Sequence, residues 1–280
     1  MTDPTPLPTR AAPSVLVTGG AHRLGALICE QFASAGWRVW CHYQRSAEAA
    51  ESLCQRLREQ GAQAQTIAAD LGDEVERERM MRHIAASDWP LTCLVNNASS
   101  FEPDSASTLD LDATRRQLEV NLLAPLDLAR WLAVGIQSAQ PSGAAHPIHV
   151  PLGASVIHVL DQKVFNPNPD YFSYSISKTA LERAVALQAQ ALAPQIRVCG
   201  VAPGLMFLSG PQTPENFAHA SRMNLMRQAL DPQQVAASCL FLAQNPAITG
   251  VTLAVDNGQH LLPLPHDVMH VVDDWLKKKD

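Results

Sequence analysis

The sequence predicts one α/β domain built on a doubly wound sheet of seven mainly parallel strands with helices on both faces. Two observations carry this prediction. Short β-branched runs alternate with helix-periodic segments along most of the 280 residues, which is the rhythm of a parallel sheet with crossover helices. A glycine turn at residues 19–25 separates the first run from the first helix, so we expect ligands at the carboxyl edge of the sheet.

Composition limits the classes of function. The chain is 46% hydrophobic and carries a net charge of −6, with its lysines and arginines spread along the sequence. One large core is therefore expected, and nucleic acid is a poor partner. We also expect no membrane partner, because no run approaches the roughly 18 apolar residues of a membrane span. Residues 1–13 contain four prolines and lack the apolar stretch of a secretory signal, so they are predicted to be a disordered tail.

The six cysteines are scattered and form no C-x-x-C motif, which predicts reduced, buried thiols and a cytoplasmic protein. They are Cys29, Cys41, Cys54, Cys93, Cys199 and Cys239. His266 and His270 have the spacing of a zinc half-site, but no third ligand completes it. His146 and His149 likewise lack further ligands, so we expect no metal site.

The first strand, Ser14 to Thr18, runs through the glycine turn into a helix predicted at Ala26 to Ala35. Such a turn lets backbone N–H groups at a helix N-terminus approach a pyrophosphate, and the helix dipole favours the negative charge. The turn predicts a dinucleotide site, with a tight βα turn that binds nothing as the alternative. Arg23 lies within this turn, and its guanidinium is expected to contact the ligand.

The second strand is predicted at Arg38 to Tyr43 and is followed by Gln44, Arg45 and Ser46, before a helix that ends near Gln60. An acidic residue at this point would hold the ribose hydroxyls of NAD, whereas an arginine suits a 2′-phosphate. Arg45 and Ser46 therefore predict NADPH. A solvated arginine at a helix start is the alternative.

The third strand is predicted at residues 63–69 and ends at Asp70 and Leu71. Asp70 is expected to cap the helix predicted at 74–86, to accept a hydrogen bond from adenine, or to do both. The fourth strand, 92–95, ends in the run Asn-Asn-Ala-Ser-Ser-Phe at 96–101. Asparagines at a strand end are usually turn formers, but these face the same edge as the glycine turn.

One long helix is predicted from Asp110 to Gln137, with Asn121 in its interior, where an amide is unfavourable unless it bonds something. Residues 140–153 are predicted to be an inserted loop. The fifth strand, 154–160, ends at Asp161.

Tyr174 and Lys178 lie four residues apart in a helix predicted at 172–193, so their side chains share one face. A neighbouring cation stabilises phenolate and lowers a tyrosine pKa from its usual value of about 10. The pair would then transfer protons near neutral pH. An ordinary surface pair is the alternative, and the pair alone does not exclude it.

The sixth strand is predicted at 196–201 and stops at Pro203 and Gly204. Residues 205–230 mix apolar side chains with prolines and are predicted to be a mobile substrate lid, or else an amphipathic helix packed on the core. A helix at 232–244 and a last strand at 248–256 complete the pattern.

Over about residues 14–258, the motifs in this order resemble the short-chain dehydrogenase/reductase family. The resemblance is carried by Thr18-Gly19 to Gly25, Asn96-Asn97-Ala98, Asn121, Tyr174 with Lys178, and Pro203-Gly204. It implies a Rossmann-type sheet of order 3-2-1-4-5-6-7, an NADP-binding domain, a C-terminal extension at 259–280, and a homotetramer built on the helices near 110–137 and 172–193. The catalytic residues implied are Asn121, Tyr174 and Lys178, with Asp161 in place of the usual serine. The cofactor residues implied are Thr18, Gly19, His22, Arg23, Leu24, Gly25, Tyr43, Arg45, Ser46, Asp70, Leu71, Asn97, Ala98, Ser99, Tyr174, Lys178, Pro203, Gly204 and Leu205.

Within that family, Arg23, Asp161 and the run ending in Phe101 resemble the pteridine reductase and dihydromonapterin reductase branch. The resemblance implies NADPH-dependent reduction of a dihydropterin to a tetrahydropterin, with weak dihydrofolate reduction. Phe101 and the nicotinamide would sandwich the flat pterin. The substrate residues implied are Arg23, Ser99, Phe101, Asp161, Tyr174, Met206 and Phe207.

Two other functions stay open at this point. One is a carbonyl or quinone reductase, but an ionised Asp161 would only accept hydrogen bonds and would not polarise a ketone oxygen, so that reading needs a protonated Asp161. The other is an NADPH-sensing protein without turnover, which has no need of the complete set of Asn121, Tyr174 and Lys178. The sequence assigns no role to 140–153 or to 259–280.

Overall fold

A seven-stranded sheet forms the centre of this computed structural model, which describes residues 12–138 and 153–278. Its order is β3-β2-β1-β4-β5-β6-β7, and every neighbouring pair of strands is parallel, as predicted. The strands are β1 Ser14–Val17, β2 Arg38–Tyr43, β3 Ala64–Ala68, β4 Cys93–Asn96, β5 Ala154–Val159, β6 Ile196–Pro203 and β7 Thr252–Val255.

Helices cover both faces of this sheet. They are α1 Arg23–Ser34, α2 Ala47–Glu59, α3 Glu74–Ala85, α4 Leu111–Leu118, α5 Ala124–Ser138, α6 Phe172–Leu192, α7 Pro214–Ala220, α8 Pro232–Gln244 and α9 Val268–Lys277. Along β1, Val15 and Val17 pack into a core with α1, α2 and α8, whereas Leu16 packs into a second core with α3, α5 and α6. Successive strand side chains point to opposite faces, so burial on both faces requires continuous apolar runs.

The long helix predicted from Asp110 to Gln137 is interrupted, which corrects that prediction. A π-helical segment, Glu119–Leu123, separates α4 from α5 and contains Asn121. π-Helical turns are rare and are frequent at functional sites. The Asn121 Oδ1 accepts a hydrogen bond of 2.7 Å from the Ser100 N–H, and its Nδ2 donates to the Ser100 carbonyl at 2.8 Å. The interior amide therefore holds the chain that follows β4.

Asp73, and not Asp70, caps α3, so the predicted capping role of Asp70 is wrong. The Asp73 carboxylate accepts from the N–H groups of Val75 and Glu76. Asp70 lies three residues earlier and instead accepts from the Gly72 N–H at 2.8 Å. Its carboxylate therefore stays at the carboxyl edge of the sheet.

The segment predicted as a lid contains the short helix α7, and the extension beyond β7 ends in α9, which packs on α7. All six cysteines are buried and free, as predicted. None of the helices within residues 12–138 and 153–278 is long and apolar enough to cross a membrane. Residues 1–11 of the predicted tail and nearly all of the predicted 140–153 insertion lie outside the described residues.

Candidate active site

A cavity of about 540 Å³ opens at the carboxyl edge of the sheet. Residues from six strand ends, the start of α1, α6, the 205–230 segment and the C-terminal extension surround it. The predicted site residues that line it are Gly19, His22, Arg23, Leu24, Gly25, Asp70, Leu71, Asn97, Ala98, Ser99, Phe101, Asp161, Tyr174, Lys178, Pro203, Gly204, Leu205, Met206 and Phe207.

The glycine turn brings the backbone and the N-terminus of α1 to the cavity wall. Gly19 has a φ of 61°, in the left-handed region that favours glycine. A Cβ atom at Gly25 would lie 2.1 Å from the Gly19 carbonyl oxygen, so no side chain fits there. Arg23 begins α1 with a φ of 50°, a glycine-like conformation at the position where a glycine is usual. The turn therefore leaves open space for an anionic group at a helix N-terminus.

Thr18, Asn97 and His42 hold this turn from behind. The Asn97 Nδ2 donates to the carbonyls of Thr18 and Gly19, at 2.9 and 3.2 Å, while the Thr18 Oγ1 accepts from the N–H groups of Asn97 and Ala98. His42 Nδ1 accepts from the Gly19 N–H at 3.0 Å. Burial lowers the pKa of His42 to about 4, so the ring is neutral and its Nε2 donates to the Ala69 carbonyl. Thr18 thus supports the turn and does not line the cavity. The supporting role of His42 was not predicted, although a polar residue inside an apolar strand is a signal that the sequence shows.

Besides Thr18, three more residues that were predicted to hold the cofactor do not line the cavity. Tyr43 ends β2, and Arg45 and Ser46 precede α2. Gln44 lines the cavity instead. The Arg45 side chain is exposed to solvent.

Tyr174 and Asp161 meet inside the cavity. The Tyr174 hydroxyl donates to Asp161 Oδ2 at 2.9 Å, and Asp161 Oδ1 accepts from the Lys163 N–H at 2.9 Å. Burial raises the pKa of Asp161, while the Lys163 ammonium, its backbone N–H and the Tyr174 hydrogen bond oppose that rise. Both carboxylate oxygens are therefore engaged, one of them by the phenol.

The predicted lowering of the Tyr174 pKa by Lys178 is wrong. Burial and the adjacent Asp161 carboxylate raise the pKa of Tyr174 well above 10. Lys178 Nζ donates to the Val159 carbonyl at 2.8 Å and lies 5.8 Å from the centre of the Tyr174 ring. Burial lowers the pKa of Lys178 to about 8. Asp161 contacts the phenol directly and Lys178 does not, so the anion dominates.

Phe101 belongs to an aromatic cluster at the cavity. Its ring stacks on Tyr171 with centroids 4.0 Å apart and forms a T-shaped pair with Tyr174, with centroids 4.7 Å apart. Tyr171 precedes α6 with a φ of 55°, an uncommon conformation for a side chain of its size. The sequence reading missed Tyr171, although its place three residues before Tyr174 puts both rings on one side of the helix start.

Arg23 connects the glycine turn to the segment predicted as a lid. Its guanidinium donates to the Leu208 carbonyl and lies 5.0 Å from the centre of the Phe207 ring. Met206 and Phe207 both line the cavity. In contrast, Leu225 and Met226 are exposed, so the predicted apolar cover is limited to the first part of that segment.

The C-terminal extension, to which the sequence assigned no role, forms part of the cavity. The Gln259 Oε1 accepts from the Leu205 N–H at 2.9 Å, which fixes the turn after β6. Asp267, Val268 and Met269 line the wall near Tyr174. Asp267 also forms an ion pair of 2.7 Å with Lys163, whose ammonium was missed by the sequence reading.

No cluster of three or more metal-ligating side chains occurs in the part of the chain that the structure describes. His266 lies 3.2 Å from an Asp170 oxygen, and His270 stacks near Tyr171. The two imidazole rings thus contact Asp170 and Tyr171, which lie next to the C-terminal extension.

Comparison with known proteins fits this geometry. The family model described as enoyl-(acyl carrier protein) reductase matches residues 19–260. The chain belongs to the short-chain dehydrogenase/reductase family. As a member of this oxidoreductase family, it has the Tyr174 and Lys178 pair on α6 and a cavity at the carboxyl edge of the sheet.

Relatives within the family include pterin and carbonyl reductases. The chain is similar to the crystal structure of alternative dihydrofolate reductase 1 from Brucella canis complexed with NADP, with 35% identity, a TM-score of 0.81, and coverage of 90% of this chain and 95% of that chain. It is 31% identical to pteridine reductase 1 of Leishmania tarentolae over 89% of this chain and 97% of that protein. It is 28% identical to a putative ketoacyl reductase of the granaticin polyketide synthase of Streptomyces violaceoruber, over 90% and 97% of the two chains.

Proposed function

We propose that this protein is an NADPH-dependent reductase that transfers a hydride to a dihydropterin and yields a tetrahydropterin, with weaker activity on dihydrofolate. The observation that carries the proposal is the hydrogen bond between Tyr174 and Asp161 beside the Phe101 ring. A carboxyl group that is hydrogen-bonded to the tyrosine can replace the proton that the phenol gives to a ring nitrogen. The similarity to pteridine reductase 1 and to alternative dihydrofolate reductase 1 supports the same substrate class.

The residues of the cavity fit the cofactor. The N-terminus of α1 and the bare backbone at Gly19 and Gly25 suit a pyrophosphate, and the exposed Arg45 at the start of α2 suits a 2′-phosphate. Bound NADPH supplies the hydride. The Lys178 ammonium donates one N–H to the Val159 carbonyl, which leaves two N–H donors for the hydroxyls of the nicotinamide ribose.

Tyr174 donates the proton in this mechanism. Its pKa lies well above 10, so it stays a phenol over the working pH range. As the phenol gives its proton to the ring nitrogen next to the reduced carbon, Asp161 returns a proton to the phenolate and later regains one from solvent. The raised pKa of Asp161 favours the proton-loaded state that this relay needs. The two groups titrate as a pair.

Aromatic side chains and Arg23 would hold the substrate. A pterin is flat and rich in ring nitrogens, so the Phe101 ring offers it a stacking surface. The Arg23 guanidinium lies at the junction of the glycine turn and the Phe207 ring, where it offers donors to a ring oxygen or nitrogen. We assign Met206 and Phe207 to the apolar wall beside it.

Asn121 acts as a positioning residue in this proposal. Its amide bonds both backbone groups of Ser100, and its Nδ2 also donates to the Ser177 hydroxyl at 3.1 Å. It therefore fixes Ser99 and Phe101, the neighbours of Ser100, relative to α6.

We further propose a cytoplasmic homotetramer. Buried, free cysteines suit a reducing compartment. Exposed apolar side chains on or next to the helices that the family uses for assembly support self-association: Leu123, Val134, Ile176 and Leu187. Light scattering on the purified protein should give four times the mass of one chain, and a monomer would contradict this part of the proposal.

Steady-state NADPH oxidation with dihydrobiopterin, dihydromonapterin and dihydrofolate, side by side with a ketone and a quinone, tests the function. We expect turnover with a dihydropterin that Tyr174→Phe reduces by about 10²-fold or more. Turnover with ketones or quinones but with none of the pterins would overturn the proposal. Binding of NADPH without oxidation of any substrate would instead identify a sensing protein.

A carbonyl reductase is the second candidate. A protonated Asp161 would donate to a ketone oxygen, and burial does raise the pKa of that carboxyl. The similarity to a putative ketoacyl reductase supports this candidate. Asp161→Ser separates the two: gained ketone reduction with unchanged native activity would favour the carbonyl reductase.

A further inference from the structure

The C-terminal extension is tied to both sides of the cavity by hydrogen bonds. On one side, the Asp267 N–H donates to the Asp170 carboxylate at 2.7 Å. On the other side, the Asn216 Nδ2 in α7 donates to the Met269 carbonyl at 2.8 Å and to the Asp273 carboxylate at 2.6 Å. The start of α9 therefore forms the wall of the cavity next to Tyr174, and these hydrogen bonds fix the position of that wall.

Lys163 connects this extension to Asp161, the hydrogen-bond partner of Tyr174. Its ammonium is only 4% exposed and lies 2.7 Å from an oxygen of Asp267, which is 15% exposed. The ammonium also donates to Asn168 Oδ1 and to the Asp170 carbonyl, each at 3.3 Å. The backbone N–H of the same residue binds Asp161. One residue thus joins the C-terminal extension to the carboxylate that holds Tyr174.

We propose that Lys163 and Asp267 are a positioning pair that ties the C-terminal extension to Asp161 and balances the charge around it during the proton transfer. The inference rests on the proposed reductase function. Two of its features are independent of that function, namely the largely buried ion pair between Lys163 and Asp267 and the hydrogen bond from the Lys163 N–H to Asp161.

The charged and titratable groups that face Asp161 come from three elements packed around it. They are Tyr174 and Lys178 of α6, Lys163 of the turn after β5, and Asp267 at the start of α9. The Lys163 ammonium lowers the pKa of Asp161, whereas the Asp267 carboxylate raises it. Beyond Lys163, the Asp170 carboxylate lies against His266. Loss of the cation and loss of the anion should therefore move the titration of Asp161 in opposite directions.

Two single variants and their combination test the pair. Lys163→Met keeps the apolar stem and the backbone N–H, and removes the charge. Asp267→Asn removes the other charge and keeps one oxygen, which suffices for the cap on the Met269 N–H. Arg115→Met is the matched control, because it breaks an ion pair with Asp112 that is exposed on the surface.

The measurement is kcat/KM for the dihydropterin as a function of pH, with the NADPH dissociation constant as a check on folding. Because the relay needs a proton on Asp161, activity is lost as pH rises through its pKa. We expect Lys163→Met to move this loss to higher pH, Asp267→Asn to move it to lower pH, and the double variant to return toward the wild type. Shifts in the same direction, or no shift beyond that of Arg115→Met while NADPH binding persists, would overturn the proposal.

A second measurement separates failure of this inference from failure of the proposed function. If the wild type reduces no pterin, the proposed function fails, and the pair is then tested by the pH dependence of the free energy of unfolding. A carboxyl with a raised pKa destabilises the fold as pH rises through that pKa. The loss should extend to higher pH in Lys163→Met than in the wild type, and this difference should shrink in an Asp161→Asn background. An equal difference in both backgrounds would refute the coupling.

Discussion

The hydroxyl of Tyr174 donates a hydrogen bond of 2.9 Å to Oδ2 of Asp161, and both side chains are buried. The carboxylate keeps the phenol protonated instead of helping it to ionise. In a carbonyl reductase of this family, a hydroxyl at position 161 would donate to the substrate. Here the same position accepts from the tyrosine, and in the mechanism we propose Asp161 replaces the proton that Tyr174 gives to a ring nitrogen.

Asp161→Asn should abolish most activity while it stabilises the protein at neutral pH. The amide oxygen still accepts from the Lys163 N–H, and the amide NH2 donates to the Tyr174 oxygen where the carboxylate accepted from it. The amide stores no proton, so kcat should fall by about 10² to 10⁴. Because burial raises the pKa of the folded carboxyl, the stability that Asp161 contributes is present at low pH and is lost as pH rises through that pKa. Urea unfolding at pH 7 should therefore favour the variant, and at pH 3 the difference should vanish. A variant that is less stable than the wild type at pH 7 would contradict the assigned cause.

NADPH binding should weaken as pH rises above about 8, because burial lowers the pKa of Lys178 to that value. The neutral amine keeps its hydrogen bond to Val159 and loses its charge. Fluorescence titration between pH 6 and about 9.5 should show this loss for the wild type. Lys178→Met should bind weakly and without this pH dependence. A wild-type dissociation constant that is flat over the range would assign cofactor binding to other groups.

Arg23→Gly should stabilise the fold and impair substrate binding. Arg23 has a φ of 50°, and a non-glycine residue in the left-handed region costs about 1 kcal/mol. Glycine removes that cost and also the guanidinium, so KM for the pterin should rise by about 10-fold. Arg23→Lys is the matched control, since it keeps the charge and the strain and loses the planar fork. Equal KM values for the glycine variant and the wild type would remove Arg23 from the substrate site.

Phe101→Leu should raise KM for the pterin by about 10-fold and leave NADPH affinity unchanged. The ring stacks on Tyr171 and forms a T-shaped pair with Tyr174, and a leucine retains apolar contact without an aromatic face. Phe101→Tyr keeps that face and should behave like the wild type. If the leucine variant weakens NADPH binding as much as pterin binding, Phe101 supports the cavity in general rather than the substrate ring.

The strands were predictable because their signals are local and redundant, whereas their order came from the family resemblance. Val15, Leu16 and Val17 read as a strand on propensity alone, and burial on both faces follows from helices on either side. Tyr174 and Lys178 were found from helical spacing. The π-helical turn at Asn121 was not predicted, because its extra residue per turn leaves no mark on an apolar pattern that both helix types satisfy.

The sequence by itself determined the parallel sheet, the glycine turn, and the residue types at positions 161, 174 and 178, because each depends on neighbours close in the chain. Only the tertiary structure decided how those groups are charged. The charges of Lys163 and Asp267 change the pKa of Asp161, and Asp267 belongs to an extension to which the sequence assigned no role. A pKa depends on burial and on charges that folding brings close together, and the spacing of residues along the chain predicts neither of them.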